Sequence, residues 1–222
     1  MSDTASLKLD TLPLATKRGL IEIANLNIFP NTNWYLAGGT ALALQVGHRE
    51  SFDLDFFTPD KIDNLVPLER ELIVTGKWTS TLAQKGTLYG VFYGAKVSFI
   101  SYPFFVPTKK RVMCGNIPII VPADIAVMKV IATSQRGRKR DFIDLFWLCH
   151  NGENLRDIIL RVKKQYPGEK HNIPHFIKSL NYFVDAEDEA MPRLCFEATW
   201  SEIKKFFQAQ AADLGRNLQE LM

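Results

Sequence analysis

The amino-acid sequence predicts an α+β fold: a small mixed β-sheet with flanking helices over residues 1–122, then a C-terminal helical bundle over 123–222. Three observations predict it. Short β-prone runs with period-two alternation are interleaved with helix-period stretches in the first half. Gly86 and Gly94 fall at the breaks between three consecutive β-prone runs, the punctuation of an antiparallel meander. Beyond Pro122 the composition shifts to helix formers, with Ile125, Met128, Val130 and Ile131 at helical spacing.

Each element follows from its local pattern. Leu20, Ile21, Ile23, Ala24 and Leu26 predict an amphipathic helix over 14–26, ended near Pro30 and its neighbouring asparagines. Trp34 to Ala37 is a short apolar strand running into Gly38-Gly39. Thr40 is expected to cap a helix over 41–46, and Gly47 to end it. Phe52 to Phe57 predicts a strand stopped by Pro59, and Leu65, Leu68, Leu72 and Ile73 predict a helix over 63–75. Strands are expected at 78–84, 87–93, 96–102 and 117–121. Helices follow from 123 onward and over 142–148, 154–165, 172–183 and 196–213.

Composition excludes several classes. With 46% hydrophobic and 23% charged residues, the 222-residue chain is neither disordered nor collagen-like, and it is long enough to bury a core unaided. The formal charge of +3 is too small to argue nucleic-acid binding in bulk, so any basic site must be local. No apolar run approaches a membrane span, and the polar start Met1-Ser-Asp-Thr-Ala is unlike a secretory leader. Cys114, Cys149 and Cys195 lack paired spacing and read as reduced thiols of a cytoplasmic protein. No repeat or low-complexity tract is present.

Asp53 and Asp55 stand two apart on a predicted strand, so both carboxylates share one face while Leu54 and Phe56 point to the other. Like charges that close call for a cation between them, and Mg²⁺ favours oxygen ligands together with substrate phosphates. The plainer alternative is a pair of solvated acids on an exposed strand face. Upstream, Gly38-Gly39-Thr40 joins a strand to a helix, a turn that permits close backbone approach and offers free N–H groups to phosphate. A phosphate cradle beside a metal-binding pair is what nucleotidyl transfer needs.

These residues carry a resemblance. Leu36-Ala-Gly-Gly-Thr-Ala-Leu-Ala-Leu, then Gly47-His-Arg-Glu-Ser and Asp53-Leu-Asp-Phe-Phe, resemble the nucleotidyltransferase toxins of the AbiEii/AbiGii type, members of the DNA polymerase β-like nucleotidyltransferase superfamily. Asp124-Ile-Ala-Val-Met-Lys129, with Arg136-Gly-Arg-Lys-Arg-Asp141-Phe-Ile-Asp144-Leu, resembles the family's second signature, in the expected order. The resemblance covers residues 34–148. It implies a nucleotidyltransferase-like core over 1–122. It also implies a Mg²⁺-dependent enzyme that takes a nucleoside triphosphate, releases pyrophosphate and attaches the nucleotide to an acceptor. In some relatives that acceptor is the 3′ end of a tRNA. The enzyme is then the toxin of a toxin–antitoxin or phage-defence (abortive-infection) module, with an antitoxin protein as partner.

By the same resemblance, Asp53 and Asp55 are metal ligands and Gly38, Gly39 and Thr40 contact the phosphates. It has Lys129 face the triphosphate, where the plain reading is a surface lysine, and Asp141 complete the acidic site. On their own spacing Asp141 and Asp144 can cap the helix or offset the arginines, and Asp144 is expected to orient Lys129 or an arginine. Arg49 and Arg136 are candidate nucleotide-binding residues; Arg49 can also pair with Asp53 or Asp55. Two readings stand for the cluster of Arg136, Arg138, Lys139 and Arg140: a solvated helix connection, or a local positive site for triphosphate or RNA phosphates. His48 can bind a carboxylate or phosphate, or be structural. The other histidines lack metal-ligand spacing. One departure stands out. Where polymerase β-like enzymes generally carry a third carboxylate on a later strand, this sequence offers Ser98, a poor Mg²⁺ ligand. A catalytically weak nucleotide- or RNA-binding protein of the same fold is therefore the alternative expectation, with a partner-binding interaction protein behind it.

Overall fold

The structure, a computed structural model, describes residues 7–107 and 111–221; the polar N-terminal start lies outside them. The chain divides into two compact units, Met1–Val121 and Pro122–Met222. Among the described residues no helix is long and apolar enough to cross a membrane.

The first unit is built on a seven-stranded mixed sheet. In chain order its elements are α1 (Leu14–Ala24), β1 (Tyr35–Ala37), α2 (Gly38–Val46), β2 (Asp53–Thr58), α3 (Val66–Val74), β3 (Trp78–Gln84), β4 (Thr87–Phe92), β5 (Ala95–Ser101), β6 (Val112–Cys114) and β7 (Ile117–Ile119). The strand order is β3-β4-β5-β2-β1-β7-β6. The meander β3-β4-β5 is antiparallel, and β5 then pairs parallel with β2. The β4–β5 turn is Tyr93-Gly94, both at positive φ (51° and 84°), the geometry of a two-residue turn matched to strand twist. β1 runs antiparallel to β2 and parallel to β7.

Strand β2 alternates as its sequence requires: Leu54, Phe56 and Thr58 are fully buried, while Asp53, Asp55 and Phe57 are half-buried. The buried face is aromatic. Phe56 stacks on Phe99 (4.9 Å between centroids), and Phe29 and Trp34 close on the same pair at 5.2 and 5.3 Å. Helix α1 packs on this face, with Gly19 letting the helix backbone approach Ala95 and Leu54. Burying that face at about 25 cal/mol per Å² anchors β2, so the acids opposite are held on a rigid strand.

The second unit is helical: α4 (Pro122–Gln135), α5 (Lys139–His150), α6 (Leu155–Gln165), α7 (Ile173–Ser179), α8 (Val184–Glu187) and α9 (Trp200–Arg216). Its core centres on Phe142, fully buried on α5, whose ring meets Phe183, Trp200 and Phe207 at 5.1, 5.9 and 5.2 Å. α9 starts at a capping box, Thr199 with Glu202, and α6 at Asn154, which accepts from two backbone N–H groups.

Several elements differ from the sequence expectation. Thr40 does not cap α2: the helix starts at Gly38 with Ala37 in the N-cap position. Gly47 does end it, at φ 72°. The 63–75 helix is trimmed to 66–74, with Pro67 in the first turn, where proline fits. The 172–183 helix breaks after Ser179 and resumes as the short α8. Strand β6 escapes a periodicity reading because three residues are too few to show alternation.

Candidate active site

In the sheet unit, Asp55 lies mid-strand on β2, between Ala37 of β1 and Ser98 of β5. Ser98, 8% exposed, donates its hydroxyl proton to Asp55 Oδ1 at 2.6 Å. On the other side is Gly38, at φ +70°, where an added Cβ would stand 3.2 Å from Asp55 Oδ2. Asp55 is thus oriented by a hydroxyl from β5 and fitted against a glycine that opens α2. Asp53 pairs in register with Lys96, one alternation away on the same side.

The turn is braced from behind. Thr40 is buried, and its hydroxyl donates to the Asp53 carbonyl and shares a 2.8 Å hydrogen bond with Ser51 Oγ. Thr40 therefore ties α2 to the start of β2. Arg49 is 3% exposed; its Nη1 donates to the Glu50 carbonyl, and its Nη2 occupies the space a Cβ on Gly39 would need, only 2.2 Å away. A guanidinium, not a side chain at position 39, backs the glycine turn. His48 is buried at 1%.

The donor set suits a hard cation. Two half-buried carboxylates share one side of a rigid strand, and Gly38 leaves room beside Asp55 for a ligand's approach. Among the described residues no three or more acidic, histidine or cysteine side chains gather as a full cage. Two carboxylates fit a hard divalent cation of the Mg²⁺ kind, which keeps waters and takes substrate phosphates.

In the helical unit the second group of predicted residues forms a buried ion cluster. Lys129, 5% exposed on α4, sends Nζ to Asp141 Oδ1 at 2.7 Å and Asp144 Oδ2 at 2.5 Å, and both acids on α5 are fully buried. The three-residue spacing on α5 places both acids on one side toward Lys129. Arg136, half-exposed, adds Nε to Asp141 Oδ2 at 3.1 Å. Burial pushes the Asp141 carboxyl up, but Lys129 and then Arg136 pull it down further, so it stays below the usual carboxylate range.

The basic run itself is not one open positive patch. Lys139 is buried, with Nζ on the Glu187 and Glu189 carbonyls, and its backbone N–H donates to Glu189 Oε2 at 2.8 Å. That distant carboxylate satisfies an orphan donor at the start of α5, where no local residue caps the helix. Arg138 lies 3.9 Å from Glu189 Oε1. All three cysteines are free thiols, and burial, with Glu153 next, pushes Cys149 up to about 12, which keeps it unreactive.

Sequence reasoning missed the Ser98–Asp55 hydrogen bond and the Thr40–Ser51 brace. Only strand register could have shown the first, because 43 residues separate its partners.

The mixed sheet followed by a helical unit has known counterparts. MenT4, a nucleotidyltransferase toxin from Mycobacterium tuberculosis, superposes with a TM-score of 0.57 at 18% identity, covering 93% of this chain and 87% of its own. JHP933 from Helicobacter pylori superposes at 0.53, also at 18% identity, over 95% and 97% of the two chains. The nucleotidyltransferase fold is therefore shared. In sequence, the uncharacterized protein aq_aa25 of Aquifex aeolicus (strain VF5) is 35% identical over 205 residues, 90% of this chain and 96% of that protein. The model of the nucleotidyl transferase AbiEii toxin family of type IV toxin–antitoxin systems matches residues 25–82 and 97–221. The chain belongs to that family of nucleotidyltransferase toxins.

Proposed function

We propose that this protein is a cytoplasmic, Mg²⁺-dependent nucleotidyltransferase that moves a nucleoside monophosphate from a triphosphate onto an RNA acceptor, a tRNA 3′ end being the leading candidate. In its operon it would be the toxin restrained by an antitoxin protein, in a toxin–antitoxin or abortive-infection setting. The observation that carries the reading is the side of β2 on which Asp53 and Asp55 stand, with Asp55 fitted between Ser98 and Gly38.

The acceptor hydroxyl oxygen attacks the α-phosphorus and gives up its proton to water; the new P–O bond forms as the bond from the α-phosphorus to its bridging oxygen breaks, and pyrophosphate leaves with the electron pair. Asp53 and Asp55 would hold the metal, which when bound supplies neutralisation of the crowded phosphate charge. Gly38 and Gly39 let the backbone N–H groups opening α2 approach the phosphates. Ser98 fixes the direction of Asp55, Thr40 locks the turn to β2, and Arg49 backs it with positive charge. Arg136 is the half-exposed cation offered to phosphate. Asp141, committed to Lys129 and Arg136, acts through those cations, and Lys129 holds Asp141 and Asp144 in place.

The test is incubation with labelled nucleoside triphosphates, Mg²⁺ and total RNA. Transfer is expected from wild type, with loss on chelation by EDTA and loss in Asp53→Ala. Label transfer by Asp53→Ala at the wild-type rate would remove the mechanism. The second reading, a catalytically weak nucleotide- or RNA-binding protein, is favoured by Ser98 in place of a third acid. Tight triphosphate binding by calorimetry with no label transfer under any of the four triphosphates would establish it.

A further inference from the structure

A pocket of about 260 Å³ lies wholly within the helical unit, between the C-terminal end of α4, α7 and the segment after it. Of the residues that line it, only Arg136 has a place in the transferase reading. It is lined by Thr133, Arg136, His175, Lys178, Tyr182 and Asp185. Thr133 is 4% exposed, and its hydroxyl has no hydrogen-bond partner among the described residues.

Arg136 enters with its direction set by the bond to Asp141, and Lys178 is exposed at the opening. His175 is held by Nε2 against the Ser134 carbonyl at 3.1 Å. Tyr182 is 50% exposed, a platform of the kind bases stack on. The volume falls just short of the roughly 300 Å³ at which drug-sized sites begin, which excludes a duplex and leaves room for a single small group. Asp185 supplies an acceptor, which a ribose 2′-hydroxyl can satisfy and deoxyribose cannot.

We propose that this pocket seats one nucleotide of a single-stranded RNA, its phosphate against Arg136 and Lys178 and its base on Tyr182. The ligand class rests on the preceding reading that the acceptor is RNA, but binding can be measured without any transfer. The experiment is fluorescence anisotropy of a labelled, unstructured RNA of about eight nucleotides, with triphosphate and Mg²⁺ omitted. Tyr182→Ala is expected to weaken binding about fivefold or more, the low end for losing one stacked base. Lys178→Gln is expected to weaken it and to lower the salt slope by about one phosphate contact. DNA of the same sequence is expected to bind more weakly, and calorimetric triphosphate binding to stay unchanged in both variants.

Lys178 is a surface residue, so its variant keeps the test valid if Tyr182→Ala does not fold. RNA affinity within about twofold of wild type in the folded variants would overturn the proposal. So would equal affinity for DNA, or loss of triphosphate binding instead of RNA binding, which would make the pocket a seat for free nucleotide. Failure of label transfer with these RNA effects intact would count against the transferase reading alone.

Discussion

Lys129 sits between two fully buried carboxylates, an arrangement that desolvation penalises unless every partner is present. Replacing it with methionine keeps the volume but withdraws the ammonium from Asp141 and Asp144 at once. Lys129→Met is expected to destabilise the fold by about 3–5 kcal/mol, seen as a lower urea midpoint at unchanged slope. Gly38 presents a different constraint. At φ +70°, alanine there costs about 1–2 kcal/mol and brings a methyl to 3.2 Å from Asp55 Oδ2. Gly38→Ala is expected to lower the melting temperature slightly while weakening Mn²⁺ binding, followed by electron paramagnetic resonance. Wild-type Mn²⁺ affinity in a folded Gly38→Ala protein would show that the turn does not shape the metal site.

At the scale of elements, β4 owes its place to Gly90. A Cβ there would stand 2.3 Å from Trp78 Cζ2 and 2.6 Å from the Thr79 carbonyl, so the strand accepts no side chain at the point where the indole crosses it. Gly90→Ala is expected to destabilise by about 1–3 kcal/mol, as overpacking does, measurable by denaturant titration. Thr199→Ala, which removes the capping box of α9, is expected to cost about 1 kcal/mol in the same measurement. These elements also show what the sequence makes legible. The three strands of the meander and the αL end at Gly47 are written in local turn chemistry, and β2 in its alternation. The start of α2 is not. Thr40 has the chemistry of a cap, yet its hydroxyl is taken by Ser51 and Asp53, so a tertiary partner outbids the local one. α5 likewise receives its cap from Glu189, fifty residues along the chain, a distance no local pattern spans.

For the molecule as a whole, acid sensitivity follows from Asp141. Its carboxyl is held below its ordinary value in the folded state, so the unfolded chain takes up the proton first as pH falls. The stabilisation is complete at neutral pH and is lost as pH drops from about 4 through the lower folded value. Below about pH 4 the stability gap between wild type and Asp141→Asn is expected to narrow as pH falls, as measured by urea midpoints at each pH. Because Asp141 is fully buried, added salt should leave most of that gap in place at neutral pH. The candidate site was legible where its residues are close in sequence, as with Asp53, Asp55 and the glycines. It was illegible where the fold joins distant segments: Ser98 beside Asp55, or Thr133 lining the same pocket as Tyr182.

The parallel pairing of β5 with β2 sets Ser98 opposite Asp55, with Val97 and Phe99 as its neighbours along the strand. A shift of one residue during sheet assembly would present hydrocarbon to the acid and turn the aromatic ladder outward. Such a chain would also lose the hydroxyl that aims Asp55, so the registration of this one strand pair fixes where the acid points.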